Sequence, residues 1–482
     1  MHFATIQRIL GLLLMVASAT MLPPLAIALW LNEPSWADLT ITLAAVFIAG
    51  ALFWYPVRRK RQEQRVRDGF VVVALFWAVL ALVGAIPLVL ADQPDMSFTD
   101  AMFESTSGLT TTGATVLTGI DRLPRAIQFY RQELQWLGGM GIIVLAVAVL
   151  PMLGIGGMQL YRAETPGPMK DNKLTPRITE TAKALWYIYL GLTVCCALAY
   201  WFAGMDVFDA IAHSFSTVAI GGFSTHDLSI GFYHSAAIES VAVVFMLLAG
   251  VNFSLHFLAW NSMNPLTYFR DSEFRAYITL LGLAALITVV YLYLSDTFEL
   301  GDAMHHGIFQ AVSIGTTTGF TTAAYSHWPG FLPVMLLFTS FIGGCAGSTG
   351  GGMKVIRFLL LFKQGMREIT RLVHPNAQIP VKVGNKPLPE RVIEAVWGFF
   401  ATYIGCFTIM MLVLLATGLD QVTAFSAVAA CLNNLGPGLG EVGHTYGDIN
   451  DTAKWVLCLA MILGRLEIFT LLVLLSPAFW RR

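Results

Sequence analysis

Asp100-Ala-Met-Phe-Glu-Ser-Thr-Ser-Gly-Leu-Thr-Thr-Thr-Gly113 has three counterparts farther along the chain. They are Asp209-Ala-Ile-Ala-His-Ser-Phe-Ser-Thr-Val-Ala-Ile-Gly-Gly222, His306-Gly-Ile-Phe-Gln-Ala-Val-Ser-Ile-Gly-Thr-Thr-Thr-Gly319 and Thr423-Ala-Phe-Ser-Ala-Val-Ala-Ala-Cys-Leu-Asn-Asn-Leu-Gly436. Each runs 13 positions from its first residue to its glycine. That is too short to cross a bilayer core, which takes about 20 apolar residues, and it suits a re-entrant piece. Each stretch lies between two longer apolar runs, so the unit is span, short helix, extended loop, span, and it occurs four times. Irregular backbone at membrane depth persists only where it is buried in protein or lines water. Four such loops satisfy that together by meeting on one axis.

The longer runs lie near 9–31, 39–56, 70–91, 134–155, 184–204, 236–260, 276–295, 330–362, 395–418 and 454–477. The first two stand outside the repeat. Ala17-Ser18-Ala19 resembles a signal-peptidase site, but the apolar run continues to Leu31, so a retained helix is expected. The 482 residues are 56% apolar and 12% charged, against about 25% charged in soluble domains. Mean hydropathy is +0.67. This excludes a soluble enzyme and a disordered chain. A net charge of −1 leaves no basic excess for nucleic acid. A transmembrane barrel would show alternating segments of about ten residues instead of unbroken runs. The fold expected is an all-α polytopic membrane protein with four pore repeats plus two N-terminal helices. The divisions are 1–68 (two helices and a basic loop), 69–160, 161–270, 271–390 and 391–482 (repeats one to four).

Short cytoplasmic loops hold the positive excess. With the N-terminus inside, the inner segments carry Arg8, the cluster Arg58, Arg59, Lys60, Arg61, Arg65 and Arg67, then Arg162, Lys170, Lys173, Arg177 and Lys183. Farther on they carry Arg270 and Arg275, eight residues from Lys354 to Arg391, and Arg481 and Arg482. Only Arg122, Arg125, Arg131 and Lys454 fall outside. Both termini are therefore expected in the cytoplasm. Many aspartates, among them Asp92, Asp121, Asp209, Asp302 and Asp448, fall on the outer side, where they either draw cations or merely solvate loops. The six cysteines have no C-x-x-C spacing and are expected to be reduced packing residues. His213, His226, His256, His305 and His306 show no metal spacing either and are expected to be hydrogen-bonded packing residues.

A pore that strips water from a cation must offer oxygens in its place. Backbone carbonyls serve if glycine permits the angles, and Thr adds a neutral hydroxyl. Each short helix ends with its partial negative charge toward the centre, which favours a cation. The candidate filter is Thr111, Thr112 and Gly113; Ile220, Gly221 and Gly222; Thr317, Thr318 and Gly319; and Asn434, Leu435 and Gly436. The quarters are unequal, because Ile220-Gly221 and Asn434-Leu435 replace Thr-Thr.

The eighth run contains Gly343-Gly344-Cys-Ala-Gly347-Ser348-Thr349-Gly350-Gly351-Gly352. Each Gly costs a helix about 1 kcal/mol relative to Ala, so an intramembrane loop is expected. A phosphate-binding P-loop would need Gly-Lys-Ser/Thr, which Gly352-Met353-Lys354-Val355 does not supply. Arg465 lies in the last run near Glu467, at a depth where charge is costly and functional or paired. Positions two apart do not face each other on a helix, so the two are expected to have different partners. Arg465 is expected to face the pore and raise its barrier to cations, and Glu467 to anchor neighbouring helices. Glu104 either holds the first loop or pairs with backbone.

These motifs resemble the Trk/Ktr/HKT superfamily of cation transporters, and within it the TrkH-like branch of bacterial potassium uptake systems. The stretches that carry the resemblance are Ser107–Thr115, Gln135–Ile142, Ala219–His226, Gly343–Gly352, Leu432–Gly438 and Gly464–Glu467. The resemblance implies gated K+ uptake across the bacterial inner membrane through a channel-like pore, with K+ as the transported ion and no organic cofactor. Gly113, where a Ser goes with sodium permeation, implies potassium selectivity. It implies further that the Gly-rich loop obstructs the pore below the filter. Homodimers and a cytosolic, nucleotide-sensing TrkA-type ring are the implied partners. The rival mechanism is symport of K+ with H+ or Na+, for which Arg465, Glu467 and Glu239 are the titratable candidates within spans. Inverted repeats, common in coupled transporters, are not evident. An intramembrane hydrolase, the reading from another class, has no candidate catalytic residues, as neither H-E-x-x-H nor G-x-S-x-G occurs.

Overall fold

The computed structural model describes residues 3–59, 66–144, 178–384 and 386–481. Lys60, Arg61, Arg65, Arg162, Lys170, Lys173, Arg177, Arg482 and the later part of the run 134–155 lie outside the described residues. Helices dominate, and among the described residues the exception is a two-residue hairpin, Lys382–Val383 against Lys386–Pro387.

Long apolar helices occupy Phe3–Leu31, Trp36–Val57, Arg67–Leu90, Lys183–Phe202, Ser272–Leu294 and Glu390–Ala416. Only 22% to 33% of their most apolar windows is buried within the protein. Leu52, Phe202 and Leu294 stand outward on these faces. A soluble protein does not leave such surfaces open, and here they fit lipid. The N-terminal pair crosses with Gly11 and Gly50 backbone to backbone. A Cβ on either would lie 2.8 Å from the other's carbonyl oxygen, the close approach that small residues allow between membrane helices.

The short stretches are helices, Phe98–Leu109, Val207–Ala219, Leu300–Gly315 and Gln421–Leu432. Three begin with side-chain caps, where Ser97, Asp206 and Asp420 accept from backbone N–H groups of the first turn. Their ends share one geometry. The residue two before each glycine is left-handed: Thr111 (φ 52°), Ile220 (54°), Thr317 (69°) and Asn434 (53°). The next N–H then reaches back to the helix, with Thr112 donating to the Ser107 carbonyl at 2.9 Å. Gly221 to Ser216, Thr318 to Ser313 and Leu435 to Ala430 repeat that bond at 2.8 Å. This is the Schellman way of ending a helix.

The second span of three repeats is broken at the same level. The run 330–362 divides into Leu332–Ile342 and Val355–Val373 around the Gly-rich loop. The runs 236–260 and 454–477, expected to be continuous, are bent as well. Ala236–Ala249 meets Phe253–Ser262 at 95°, and Asp451–Arg465 meets Phe469–Leu475 at 115°. Asn252 caps the restarted helix by accepting from the Ser254 N–H at 2.8 Å. The backbone groups freed at that break are taken up by the Gly-rich loop, as the Gly250 carbonyl accepts from the Cys345 N–H at 2.8 Å and the Gly347 carbonyl from Phe253 at 3.0 Å. At the last break Glu467 and Ile468 are left-handed (φ 55° and 50°). Arg465 therefore closes a helix and does not sit in the middle of one.

Candidate ion pathway

The glycines of the four turns form a closed circuit. A Cβ at Gly113 would strike the Gly221 carbonyl oxygen, one at Gly222 the Thr318 oxygen and one at Gly319 the Leu435 oxygen. A Cβ at Gly436 would lie 2.7 Å from the Thr112 oxygen. Each repeat thus touches the carbonyl just before the next repeat's glycine, and the fourth returns to the first. All four glycines are left-handed, with φ between 77° and 98°. Thr111, Ile220 and Thr317 are β-branched residues in the left-handed region, a strain of about 1–3 kcal/mol each that dense surroundings must hold in place.

The circuit is not four-fold in its side chains. The Thr112 and Thr318 hydroxyls bond to Thr110 and Thr316 at 2.7 and 2.8 Å. Asn434 sends its amide to the Thr112 hydroxyl and to the Met461 carbonyl, both at 3.0 Å, joining the fourth quarter to the first. In the second quarter the Gly221 carbonyl accepts from Gln135 Nε2 at 2.6 Å, while Gln135 Oε1 takes the Phe223 N–H at 3.1 Å. That carbonyl has one lone pair fewer to offer an ion than its counterparts.

Nine residues before each glycine stand Glu104, His213, Gln310 and Ala427, and two residues after it Thr115, Ser224, Thr321 and Gly438. In the first two repeats these positions meet. Glu104 accepts from the Thr115 hydroxyl and the Val116 N–H at 3.0 Å, and His213 Nε2 lies 2.9 Å from Ser224 Oγ. Glu104 also pairs with Arg131 at 2.7 Å, both wholly buried. Arg131 goes on to the Ser224 carbonyl at 3.2 Å and lies 4.3 Å from the centre of the Phe223 ring. One ion pair therefore braces the exits of two loops. Glu104 holds the loop, and Arg131 and Gln135 are residues that sequence reading missed. Their partners lie up to 93 positions away, and in sequence they are two among several polar residues of the stretch 125–135, with nothing local to single them out. Ala427 and Gly438 have lost the polar pair together. Ser426 there bonds the Leu439 carbonyl at 2.9 Å and its N–H at 2.8 Å instead.

Beneath the circuit lies the Gly-rich loop. Thr349 donates to the Val218 carbonyl at 2.9 Å, the Gly351 N–H to Thr317 Oγ1 at 2.7 Å, and the Gly352 N–H to the Asn433 carbonyl at 3.0 Å. The loop thus contacts the ends of the second, third and fourth short helices. It packs so closely that a Cβ on Gly351 would strike the Asn433 carbonyl, and one on Gly343 the Gly351 carbonyl. From the opposite side Glu273 accepts the Ala346 and Ile356 N–H groups at 2.7 and 3.2 Å, and Lys354 reaches the Gly350 carbonyl. Arg465 donates to the Thr349 carbonyl at 3.0 Å. Its Nε and second terminal nitrogen are buried without a hydrogen-bond partner among the described residues. Glu467 goes elsewhere, to Arg357 at 2.7 Å. Arg465, Glu467, Arg357, Asn434, Gly350 and Gly351 line a cavity of about 40 Å3, room enough for water.

On the face where the short helices begin, His226 lies between Asp121 and Asp209 and stacks on Phe232 at 3.6 Å. Burial works against its proton, but the hydrogen bonds it donates to Asp209 and Asp121 outweigh that and raise its pKa above 6.5. Asp121 is lowered in turn, with the His226 bond and the Asp227 N–H overcoming its burial. His213 and His256 are hydrogen-bonded packing residues, His256 to Tyr268 and the Leu248 carbonyl. All six cysteines are free.

Residues 37–482 match the family described as TrkH, cation transport protein. The chain is 59% identical over 484 residues to the Trk system potassium uptake protein TrkH of Vibrio parahaemolyticus, and 55% identical over 482 residues to that of Escherichia coli K12, with all of each chain covered. It is 43% identical to the Escherichia coli Trk system potassium uptake protein TrkG, over all of this chain and 99% of that one. The crystal structure of the potassium transporter TrkH from Vibrio parahaemolyticus superposes with a TM-score of 0.93 at 57% identity, covering both chains completely. The chain belongs to the TrkH family of cation transport proteins.

Proposed function

We propose that the protein is the ion-translocating subunit of a Trk-type potassium uptake system and conducts K+ through the circuit of four turns. The observation that carries this is the repetition of one backbone turn four times, each glycine pressed on the carbonyl of the next quarter. Backbone oxygens gathered at the ends of four short helices replace a cation's water. The transported ion is cargo, and the role is transport, not catalysis. Thr111, Thr112, Gly113, Ile220, Gly221, Gly222, Thr317, Thr318, Gly319, Asn434, Leu435 and Gly436 form the filter in this reading. Glycine at position 113 goes with K+ over Na+.

The Gly-rich loop is the gate. Its bonds to Val218, Thr317 and Asn433 hold it across the exit, and Arg465 adds a positive charge that no carboxylate neutralises among the described residues. The break in each of three spans gives the loop somewhere to move. With the basic loops in the cytoplasm, both termini lie inside a bacterial inner membrane, and the chain works as a homodimer docked on a cytosolic nucleotide-sensing ring. Symport is the weaker reading, because Glu467 is engaged by Arg357 and Glu239 is not one of the residues that form the circuit.

The experiment is the reversal potential of purified protein in liposomes under opposed K+ and H+ gradients. The proposal expects it to follow K+ alone. A reversal potential that moves with the H+ gradient would make the protein a symporter.

A further inference from the structure

Glu239, in the first turn of Ala236–Ala249, faces the third short helix, where His305 and His306 lie. One ligand atom from each of the three lies within 4.8 Å of the others. Glu239 Oε2 and His305 Nε2 are 3.2 Å apart. Yet neither atom has a hydrogen-bond partner among the described residues, although the Glu239 side chain is only 5% exposed. The two atoms lie at ion-pair distance but are not aligned as a hydrogen bond, which leaves a lone pair on each open to a third partner. The separation is that of two ligands on one ion, since bonds of about 2.0–2.1 Å in a tetrahedron put neighbouring ligand atoms about 3.3 Å apart.

We propose that Glu239, His305 and His306 bind a borderline transition-metal cation, Zn2+ foremost, at the mouth of the pathway. Two imidazoles and one carboxylate suit zinc and not Mg2+ or Ca2+, which ask for an all-oxygen shell. Three protein ligands leave a fourth position for water, and the His305 side chain, 32% exposed, gives the ion a way in. His306 Nδ1 is held 3.0 Å from Thr322 Oγ1, the outer-shell contact that fixes a ligating imidazole. Thr322 lies three residues beyond the filter glycine Gly319, and its neighbour Thr321 is tied to Gly231 and Ser229 of the second repeat. The metal therefore joins two repeats just above the circuit, and its arrival stiffens the third quarter. Taken with the K+ pathway proposed above, this makes the site a brake on uptake by external metal.

The test is a titration of full-length, tag-free, chelator-washed protein with Zn2+ against a chromophoric zinc indicator, followed by K+ flux in liposomes with Zn2+ added outside. One ion per chain is expected at micromolar Zn2+, unaffected by millimolar Mg2+. Glu239→Gln and His305→Ala should each weaken it at least about tenfold, while His327→Ala, at an exposed histidine elsewhere, leaves it unchanged. Zn2+ should slow K+ flux in the wild type and not in the two site variants. Binding that survives both site substitutions, or no binding at 100 μM, overturns the site. Binding without an effect on flux overturns the brake. Absence of K+ flux before any metal is added would count against the transport reading and leave the binding result standing.

Discussion

Removing Glu104 tests whether one buried pair braces two loops of the filter. In Glu104→Ala, Arg131 keeps its charge in a site 1% exposed, with the Ser224 carbonyl, the Thr115 hydroxyl and the Phe223 ring as its remaining partners among the described residues. Breaking a buried pair on one side costs about 3–5 kcal/mol, mostly because a charge is left uncompensated. Two further bonds, from Thr115 and Val116, lose their acceptor at about 1 kcal/mol each. The assays are thermal unfolding in detergent and the K+ to Na+ permeability ratio in liposomes. A drop in melting temperature is expected in Glu104→Ala, together with a fall in selectivity, since Thr115 lies two residues from Gly113. Glu104→Gln keeps the shape without the charge and should fall between. Glu104→Ala with Arg131→Ala should be less destabilised than the two single effects added, by about 1 kcal/mol or more, because no lone charge remains. A Glu104→Ala protein that melts and selects like the wild type would refute the reasoning, as would strict additivity in the double variant.

Gly319→Ala places a methyl on the Leu435 carbonyl at a left-handed φ of 84°, so K+ flux should fall to background while the protein still inserts. Gly113→Ser, measured in the same liposomes, should admit Na+. Arg465→Ala removes the donor to the Thr349 carbonyl and the charge below the circuit, so single-channel recording should show a higher open probability. An unchanged record would remove Arg465 from the gate. The raised pKa of His226 has a definite sign. Its contribution to stability is complete below pH 6.5 and is lost as pH rises through the higher folded value, so the melting temperature should decline there in the wild type and stay flatter in His226→Ala.

The repeat, the short helices and the Gly-rich loop were legible because each writes itself in local composition: a period of apolar runs, a fixed distance to glycine, six glycines in a row of ten. The breaks after Ala249 and Arg465 were not, because hydropathy reads through them. Gly250 and Asn252 barely lower the hydropathy of a long apolar run, and Glu467 and Ile468 are not residue types that announce a left-handed turn. The left-handed turn before each glycine was hidden as well. Only Asn434 is a residue that favours it, while Thr111, Ile220 and Thr317 are forced there by what surrounds them. Residues that act across repeats escaped for a related cause. Arg131 reads as a loop cation and Gln135 as part of a motif until folding places Ser224 and Gly221 beside them. Glu239, His305 and His306 have no spacing to find, since their grouping exists only in space.

The circuit of glycines has a bearing on how the protein is made. Its last contact joins Asn434 to Thr112, residues 322 positions apart. At the usual pace of synthesis, about 5–20 residues per second, the first turn waits on the order of 15–60 s for the partner that completes it. Until then the turns already made lack the neighbours that hold their left-handed geometry, and the nascent chain must be sheltered by the insertion machinery or by its own earlier helices. The filter is therefore among the last parts of the molecule to take shape, and a ribosome that stalls before residue 436 leaves a membrane-embedded chain that cannot select.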